Sequence, residues 1–566
     1  MNTMRELCRG IQYVYYTGRS LFLLRLVMIF VNGFLNGAVI YAIQQLLNSF
    51  QFSTREEVLF SLASFLIINA ISMIISILSS IVEQKQSLLL GNRLDIDVLE
   101  KYKGLSLSDY ESEESHQLIT DANELGKGGV IEIYENGVQL IESVLSIFSI
   151  GIVVAQMDIL IVGMIMAVAA LSAYLQILCG RKIYLCRESM IPGLRRVAYI
   201  NSLLEDNHVI KEIIGCQAFD YMIQKFISEK KSLLRKSKEM LGIRIRTNAV
   251  TSGMDYALTV AVMVTIYFQS NSTILFGNII AYTESISRIN ACMKTIFTNA
   301  ADIYNSKPYV RKFFQLMDLQ KPHSECKEKK KIARVEKISI KNLSFRYPNR
   351  KDRALSDISL TLQNGKLIVL TGDNGSGKTT LIKLIAGLYK PTDGCITVNG
   401  MDLNCIDMDS YSAKISVMFQ DYNRYEDSLK GNIEIGDPNK KTDIEKIYRV
   451  LRKTEMEWLE GDEGILNTQL GNLFSGVELS QGQWQRIALS RALYRESDVI
   501  ILDEPTASLD DNIKRRIMDQ LYCLAKEKIV VVVSHDASII DHANTVCIHL
   551  KNGEIIQCLG RVNKAV

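Results

Sequence analysis

The first 300 residues are dominated by long apolar runs broken by short polar gaps, whereas the remainder alternates short apolar runs with polar stretches. Six apolar runs, at about 21–45, 58–82, 136–156, 158–180, 248–269 and 276–298, are each long enough to cross about 30 Å of hydrocarbon as a helix. Polar residues interrupt the third and the sixth. One such run fits a buried helix of a soluble protein; six in succession predict a membrane domain. Arg5, Arg9 and Arg19 precede the first run, but it is too long for the apolar core of a secretory signal and no small-residue cleavage site follows.

Lysine and arginine set the orientation. They crowd 181–246, among them Arg181, Lys182, Arg195, Arg196, Lys230 and Arg246, and recur in 83–135. The alternate connections carry almost none: Arg55 alone in 46–57, and neither residue at 157 or in 270–275. Both termini and both long loops are therefore expected on the cytoplasmic side of the inner membrane. Leu105–Tyr110 and Asn201–Asp206 interrupt the helical pattern in those loops, and each is either a short helix at the loop tip or a solvated turn.

A charged stretch over 319–335, with Lys327, Lys329, Lys330 and Lys331, reads as a linker. Ile338–Phe345 then alternates as a strand does, and apolar runs at 367–370, 499–502 and 529–533 predict buried strands. After the strand at 367–370 comes Gly372-Asp373-Asn374-Gly375-Ser376-Gly377-Lys378-Thr379-Thr380, followed by a helical pattern from Leu381. Strand, glycine loop and helix form the context of a phosphate-binding loop. The glycines let successive N–H groups converge on one oxyanion, and the helix N-terminus adds its positive dipole end. Lys378 can reach the β- and γ-phosphates, and the Thr379 hydroxyl can hold Mg²⁺. Val499–Leu502 ends in Asp503 and Glu504. There Asp503 is placed to hold Mg²⁺ and Glu504 to polarise an attacking water. The fold expected is a six-span α-helical membrane domain over 1–318, the linker, and an α/β P-loop ATPase domain over 336–566.

Composition narrows the partners. The chain has 566 residues and a formal net charge of +3, which implies no nucleic-acid partner. Eleven cysteines stand singly, with no Cys-x-x-Cys pair, and are expected as thiols in a reducing compartment.

Leu479-Ser480-Gln481-Gly482-Gln483, lying between the two nucleotide elements, resembles the signature sequence of ABC transporters. The resemblance covers the whole C-terminal domain in order and spacing. It implies that Tyr347 stacks on adenine, that Gln420 reports γ-phosphate and Mg²⁺ to the membrane part, and that Ser508-Leu509-Asp510 forms a dimer contact. It also implies that His535 contacts the γ-phosphate, and that Ser480, Gly482 and Gln483 contact ATP held by a partner subunit. One membrane domain and one nucleotide domain resemble a half-transporter. Gln481 stands where the family usually has glycine, which leaves room for a heterodimer; because Glu504 and His535 are intact, a homodimer is preferred.

Spans fused ahead of the nucleotide domain resemble the exporter type, which couples ATP hydrolysis to alternating access. Asn201–Phe226, Gln420–Tyr425 and Gly476–Arg486 resemble exporters of ribosomally made peptides, including lantibiotics. A peptide or other small amphipathic substrate is expected, with a lipid or drug exporter, or an ATP-gated channel or sensor, as alternatives. Glu284 and Arg288 lie four apart on one helical face at membrane depth. They are either a cavity-lining pair that contacts substrate or an ion pair between spans. Asp255 and Glu142 are further intramembrane acids, with weaker cases.

Overall fold

The computed structural model describes residues 2–156, 159–269, 275–319, 329–348, 350–457, 463–471, 476–536, 539 and 544–559. The expected connections at 157 and 270–274, and the 320–328 part of the linker, lie outside the described residues. The chain divides into two compact units: Met1–Lys103 with Gln117–Leu319, and Gly104–His116 with Gln320–Val566. The tip of the first long loop thus groups with the C-terminal unit.

Among the described residues, the N-terminal half consists of helices joined by short connections. Its elements are α1 (Asn2–Thr17), α2 (Arg19–Phe52), α3 (Arg55–Tyr102), α4 (Leu107–Glu111) and α5 (Glu113–Asp121). A π-helical turn, Ala122–Gly126, leads into α6 (Lys127–Ala155). There follow α7 (Ile159–Glu188), α8 (Ile191–Glu205), α9 (Asn207–Gly215), α10 (Phe219–Gln269) and α11 (Phe276–Asp318). Among the described residues, five helices are long and apolar enough to cross a membrane, within α2, α3, α6, α7 and α10. The sixth expected span lies in α11, a continuous helix of 43 residues in which Glu284, Arg288, Lys294 and many hydroxyls dilute the apolar run. With 48 residues, α3 is about 72 Å long at 1.5 Å per residue, far more than the bilayer core requires. The apolar segment of α3 is exposed on most sides, with Leu59, Phe60, Leu66, Ile67 and Ile74 all open, as suits a lipid-facing helix.

Packing in this unit depends on small residues. Gly33 and Gly37 share one face of α2 where it crosses α6. A Cβ on Gly33 would lie 2.6 Å from that of Leu145, and one on Gly37 would lie 2.8 Å from the Ser149 carbonyl oxygen. The Ser149 hydroxyl donates to the Gly33 carbonyl at 2.8 Å, so the close approach is also hydrogen-bonded. Ile40, Ile150, Ile161, Ile165, Leu258, Tyr282 and Ile286 from α2, α6, α7, α10 and α11 form the shared core.

The C-terminal unit holds two sheets. Its strands are β1 (Lys337–Phe345), β2 (Leu355–Gln363), β3 (Leu367–Thr371), β4 (Asp393–Val398) and β5 (Met401–Asp402). They continue as β6 (Ile415–Met418), β7 (Val499–Asp503), β8 (Ile529–Val533), β9 (Thr545–Lys551) and β10 (Glu554–Leu559). An antiparallel sheet runs β2-β1-β4-β5, and a mostly parallel one runs β10-β9-β3-β8-β7-β6. The helices are α12 (Lys378–Ile385), α13 (Met408–Ser412), α14 (Leu429–Glu434), α15 (Ile444–Lys453), α16 (Glu463–Leu466), α17 (Gln481–Tyr494) and α18 (Asp511–Ala525). Every residue of β3, β7 and β8 is buried, which is why these strands read as unbroken apolar runs. Cys405 is disulfide-bonded, against the expectation of thiols throughout, while Cys395, Cys523 and Cys547 are free.

Candidate nucleotide site

Register places the site. In the parallel sheet Leu370 pairs with Val533, Asp503 pairs with Val533 as well, and Met418 pairs with Leu502. The C-terminal ends of β3, β8, β7 and β6 therefore lie side by side, where open α/β sheets bind ligands. Whatever follows each strand by one or two residues must meet there: Gly372 after β3, His535 after β8, Glu504 after β7 and Gln420 after β6.

The phosphate loop needs its glycines at two points. Gly372 has φ of 141°, and a Cβ there would lie 2.0 Å from the Leu550 carbonyl oxygen; Gly377 has φ of 103° and would meet the Ala354 carbonyl at 2.9 Å. Lys378 opens α12 and is buried; its ammonium donates to the carbonyls of Gly372 at 2.5 Å and Asp373 at 2.9 Å. Burial pushes the Lys378 pKa down, opposed by the charges of Glu504, Asp503 and Asp373. The Thr379 hydroxyl donates to Asp503 Oδ2 at 3.1 Å. Burial raises the Asp503 pKa, and the Thr379 hydrogen bond works against that rise. The Thr379 hydroxyl, the Asp503 carboxylate and the nearby Gln420 amide are oxygen donors, a set that suits a hard divalent cation such as Mg²⁺. Among the described residues, no cluster of His, Cys, Asp and Glu offers another metal site.

Glu504 is held in an uncommon conformation, with φ of 51°. Such a backbone persists only when its surroundings fix it. Here the Glu504 N–H donates to the Val533 carbonyl at 3.1 Å, and the Gln485 amide donates to the Glu504 carbonyl at 2.8 Å. The Glu504 carboxylate accepts from Gln420 Nε2 at 3.0 Å, with His535 Nε2 at 3.7 Å from its other oxygen.

A cavity of about 880 Å³ collects Tyr347, Asn374–Thr380, Gln420, Asp503 and Glu504. The Tyr347 hydroxyl pairs with Thr380 Oγ1 at 3.0 Å, and its ring meets Phe345 and Tyr389 edge-on at 5.0 and 5.5 Å. Arg350, Arg353, Lys383, Asn552 and Glu111 also line the cavity, although no local motif singled them out. Glu111 arrives from the loop tip. Leu105–Tyr110 does hold a short helix, α4, capped by Ser106, whose N–H donates to Asp109 Oδ2 at 2.8 Å. Leu107 packs on the core of the C-terminal unit, and Glu111 pairs with Lys383 at 3.3 Å and accepts from the Tyr389 hydroxyl. The second tip ends α8 at Glu205 and resumes as the short helix α9.

Ser480, Gly482 and Gln483 do not line this cavity. Ser480 caps α17, its Oγ accepting from the Gln483 N–H at 3.3 Å while Gln483 Oε1 accepts from the Ser480 N–H at 2.8 Å. Gly482 lies against the loop after β7: a Cβ there would sit 2.9 Å from the Ser508 carbonyl oxygen. The Gln481 side chain is exposed, and its carbonyl accepts from the Tyr422 hydroxyl at 3.2 Å. Glu284 and Arg288 form an ion pair within α11 at 2.7 Å, with Arg288 also donating to Asn36 Oδ1 at 3.2 Å.

The family model described as "ABC transporter" matches residues 355–507, which span the phosphate loop, the signature segment and the catalytic strand. The chain carries an ABC transporter ATP-binding domain joined to a helical membrane part. Across nearly its whole length the chain is 28% identical to the subtilin transport ATP-binding protein SpaT of Bacillus subtilis, covering 98% of the chain and 91% of that protein. It is 29% identical to the nisin transport ATP-binding protein NisT of Lactococcus lactis, covering 93% and 88%. An ATP-dependent lipid A-core flippase of Methylococcus capsulatus is 27% identical over 62% of the chain and 59% of that protein. The structure of a bacterial Atm1-family ABC exporter with ATP bound superposes with a TM-score of 0.82 at 15% identity, covering 96% of each chain. The fold is therefore that of an ABC exporter, a helical membrane part joined to an ATP-hydrolysing domain.

Proposed function

We propose that this ATP-driven exporter carries a peptide across the inner membrane, as a homodimer with both termini in the cytoplasm. The observation that carries the peptide reading is its likeness to the subtilin and nisin transport proteins, which extends over nearly the full length of the chain and of both relatives. The likeness to a lipid flippase covers less of both chains. On this reading 1–318 is the membrane domain, 319–335 the linker and 336–566 the ATPase domain.

The nucleotide site supports a division of labour. Tyr347, braced by Phe345, Tyr389 and Thr380, presents a ring on which adenine stacks. The 372–380 loop cradles the phosphates, and Lys378 exchanges two carbonyl partners for phosphate oxygens. Mg²⁺, held by Thr379, Asp503 and Gln420, would neutralise charge on the β- and γ-phosphates. Glu504 takes the proton of the attacking water, with Gln420 and His535 orienting its carboxylate toward the γ-phosphate. Ser480, Gly482 and Gln483 open a helix outside the chain's own cavity and bind the nucleotide of the partner subunit.

The test is transport in inside-out vesicles. ATP-dependent accumulation of a synthetic lantibiotic precursor peptide is expected, and its abolition by Glu504→Gln. Dissipation of a preset gradient without accumulation would point to a channel, and lipid flipping without peptide uptake to a lipid exporter.

A further inference from the structure

A second cavity lies wholly within the helical unit, between α7, α10 and α11. Its volume is about 560 Å³, within the range of roughly 300–1,000 Å³ typical of ligand sites. Most of the residues that line it carry polar side chains. Asp255 on α10 and Asn290 on α11 face each other across it, with Asn290 Nδ2 donating to Asp255 Oδ1 at 2.7 Å. No lysine or arginine pairs with Asp255 among the described residues. Lys294, one turn beyond Asn290, lines the same cavity, so one charge of each sign faces it. Ser172 on α7 is 5% exposed, and its hydroxyl has no hydrogen-bond partner among the described residues. The Glu284–Arg288 pair, by contrast, is closed within α11 and bonded to Asn36 on α2, and is not part of this wall.

An acid at membrane depth without a cationic partner is costly, and such residues mark substrate paths. A buried hydroxyl with no partner points the same way, because buried polar groups are normally hydrogen-bonded. We propose that this cavity binds a cationic side chain of the exported peptide, with Asp255 accepting from its ammonium or guanidinium and the surrounding amides and hydroxyls pairing with its backbone. Asn290 positions the Asp255 carboxylate. The inference rests on the peptide reading for the identity of the ligand, but not for the existence of a cation-selective site.

Two measurements separate those parts. In the full-length transporter in inside-out vesicles, Thr259→Cys places a thiol on the cavity wall, one turn from Asp255. A positively charged methanethiosulfonate is expected to label it about tenfold faster than a negatively charged one, and Asp255→Asn to remove that preference. A thiol that reacts with neither reagent, or a preference that survives Asp255→Asn, overturns the site. In lipid nanodiscs, an apolar decapeptide with one lysine is expected to stimulate ATP hydrolysis at about tenfold lower concentration than the same peptide with that lysine acetylated, and Asp255→Asn to equalise the two. Equal stimulation of the wild type by both peptides overturns the cationic class and leaves the peptide reading standing. Charge-selective labelling without accumulation of either peptide in vesicles keeps the cation site and defeats the peptide reading.

Discussion

Gln485 joins α17 to Glu504, the proposed base: its amide donates to the Glu504 carbonyl at 2.8 Å, and its oxygen accepts from the Ser508 N–H at 3.0 Å. The side chain is almost fully buried, so Gln485→Leu would leave two backbone groups without partners, at about 1–3 kcal/mol each. The positive φ of Glu504 would lose one of its two restraints. We predict that kcat for ATP falls about tenfold while KM changes less than twofold, since Tyr347 and Lys378 are untouched. Steady-state ATPase kinetics check this.

Glu504→Gln keeps the shape and the contact with Gln420 but removes the base. The expected result is a loss of about 10²–10⁴ in kcat with ATP affinity retained. ATP should then hold two chains together, read as a dimer of nucleotide domains by cross-linking in detergent. Hydrolysis at the wild-type rate would show that another group takes the proton.

Asp503 is costly in the resting protein. Its pKa is raised in the fold by burial, so the neutral form favours folding below about pH 3.8, the ordinary value, and that advantage is lost as pH rises through the raised value. At pH 7 the ionised carboxylate therefore destabilises the fold. Asp503→Asn should stabilise the nucleotide-free transporter by about 1 kcal/mol at pH 7 and abolish Mg²⁺-dependent hydrolysis. Thermal unfolding in the absence of nucleotide reads the first effect, and an unchanged or lower midpoint would contradict it.

The hydrogen bond from Tyr389 to Glu111 ties α4 to the wall of the nucleotide cavity. Burial, the hydrogen bond with Glu111 and its negative charge all raise the Tyr389 pKa, so the phenol stays protonated and donating at any physiological pH. Tyr389→Phe retains the ring against Tyr347 and removes only that bond. Amide exchange across Leu107–Glu111 should quicken about fivefold, as expected for about 1 kcal/mol of local stability.

What the sequence made legible was local chemistry. The 372–380 loop and the Asp503–Glu504 pair are contiguous strings whose neighbours fix their surroundings, and the buried strands β3, β7 and β8 announce themselves as apolar runs. Leu105–Tyr110 reads from sequence as either a short helix or a solvated turn, and which surface that tip packs on depends on contacts nearly 280 residues away in sequence, between Glu111 and Tyr389. That is why Glu111 escaped notice as a wall of the nucleotide cavity. The membrane domain shows the converse problem. Glu284 and Arg288 stand out as charges, yet they pair with each other and with Asn36, while Asp255, the weaker candidate by pattern, lines a cavity between helices. Spacing along one helix reveals pairs within it; a cavity between three helices has no signature in any one of them. Hydropathy likewise dims along α11, whose polar residues serve contacts with its neighbours.

Gly482 rests against the Ser508 carbonyl with no room for even a methyl group. A helix wedged that tightly cannot turn without dragging the loop behind Glu504 along with it. In a two-fold pair this helix would face the neighbour's nucleotide while gripping its own chain's base, so filling or emptying one pocket would tug on the other. The two halves would then behave as one engine with a shared crankshaft, and silencing a single base would slow both strokes.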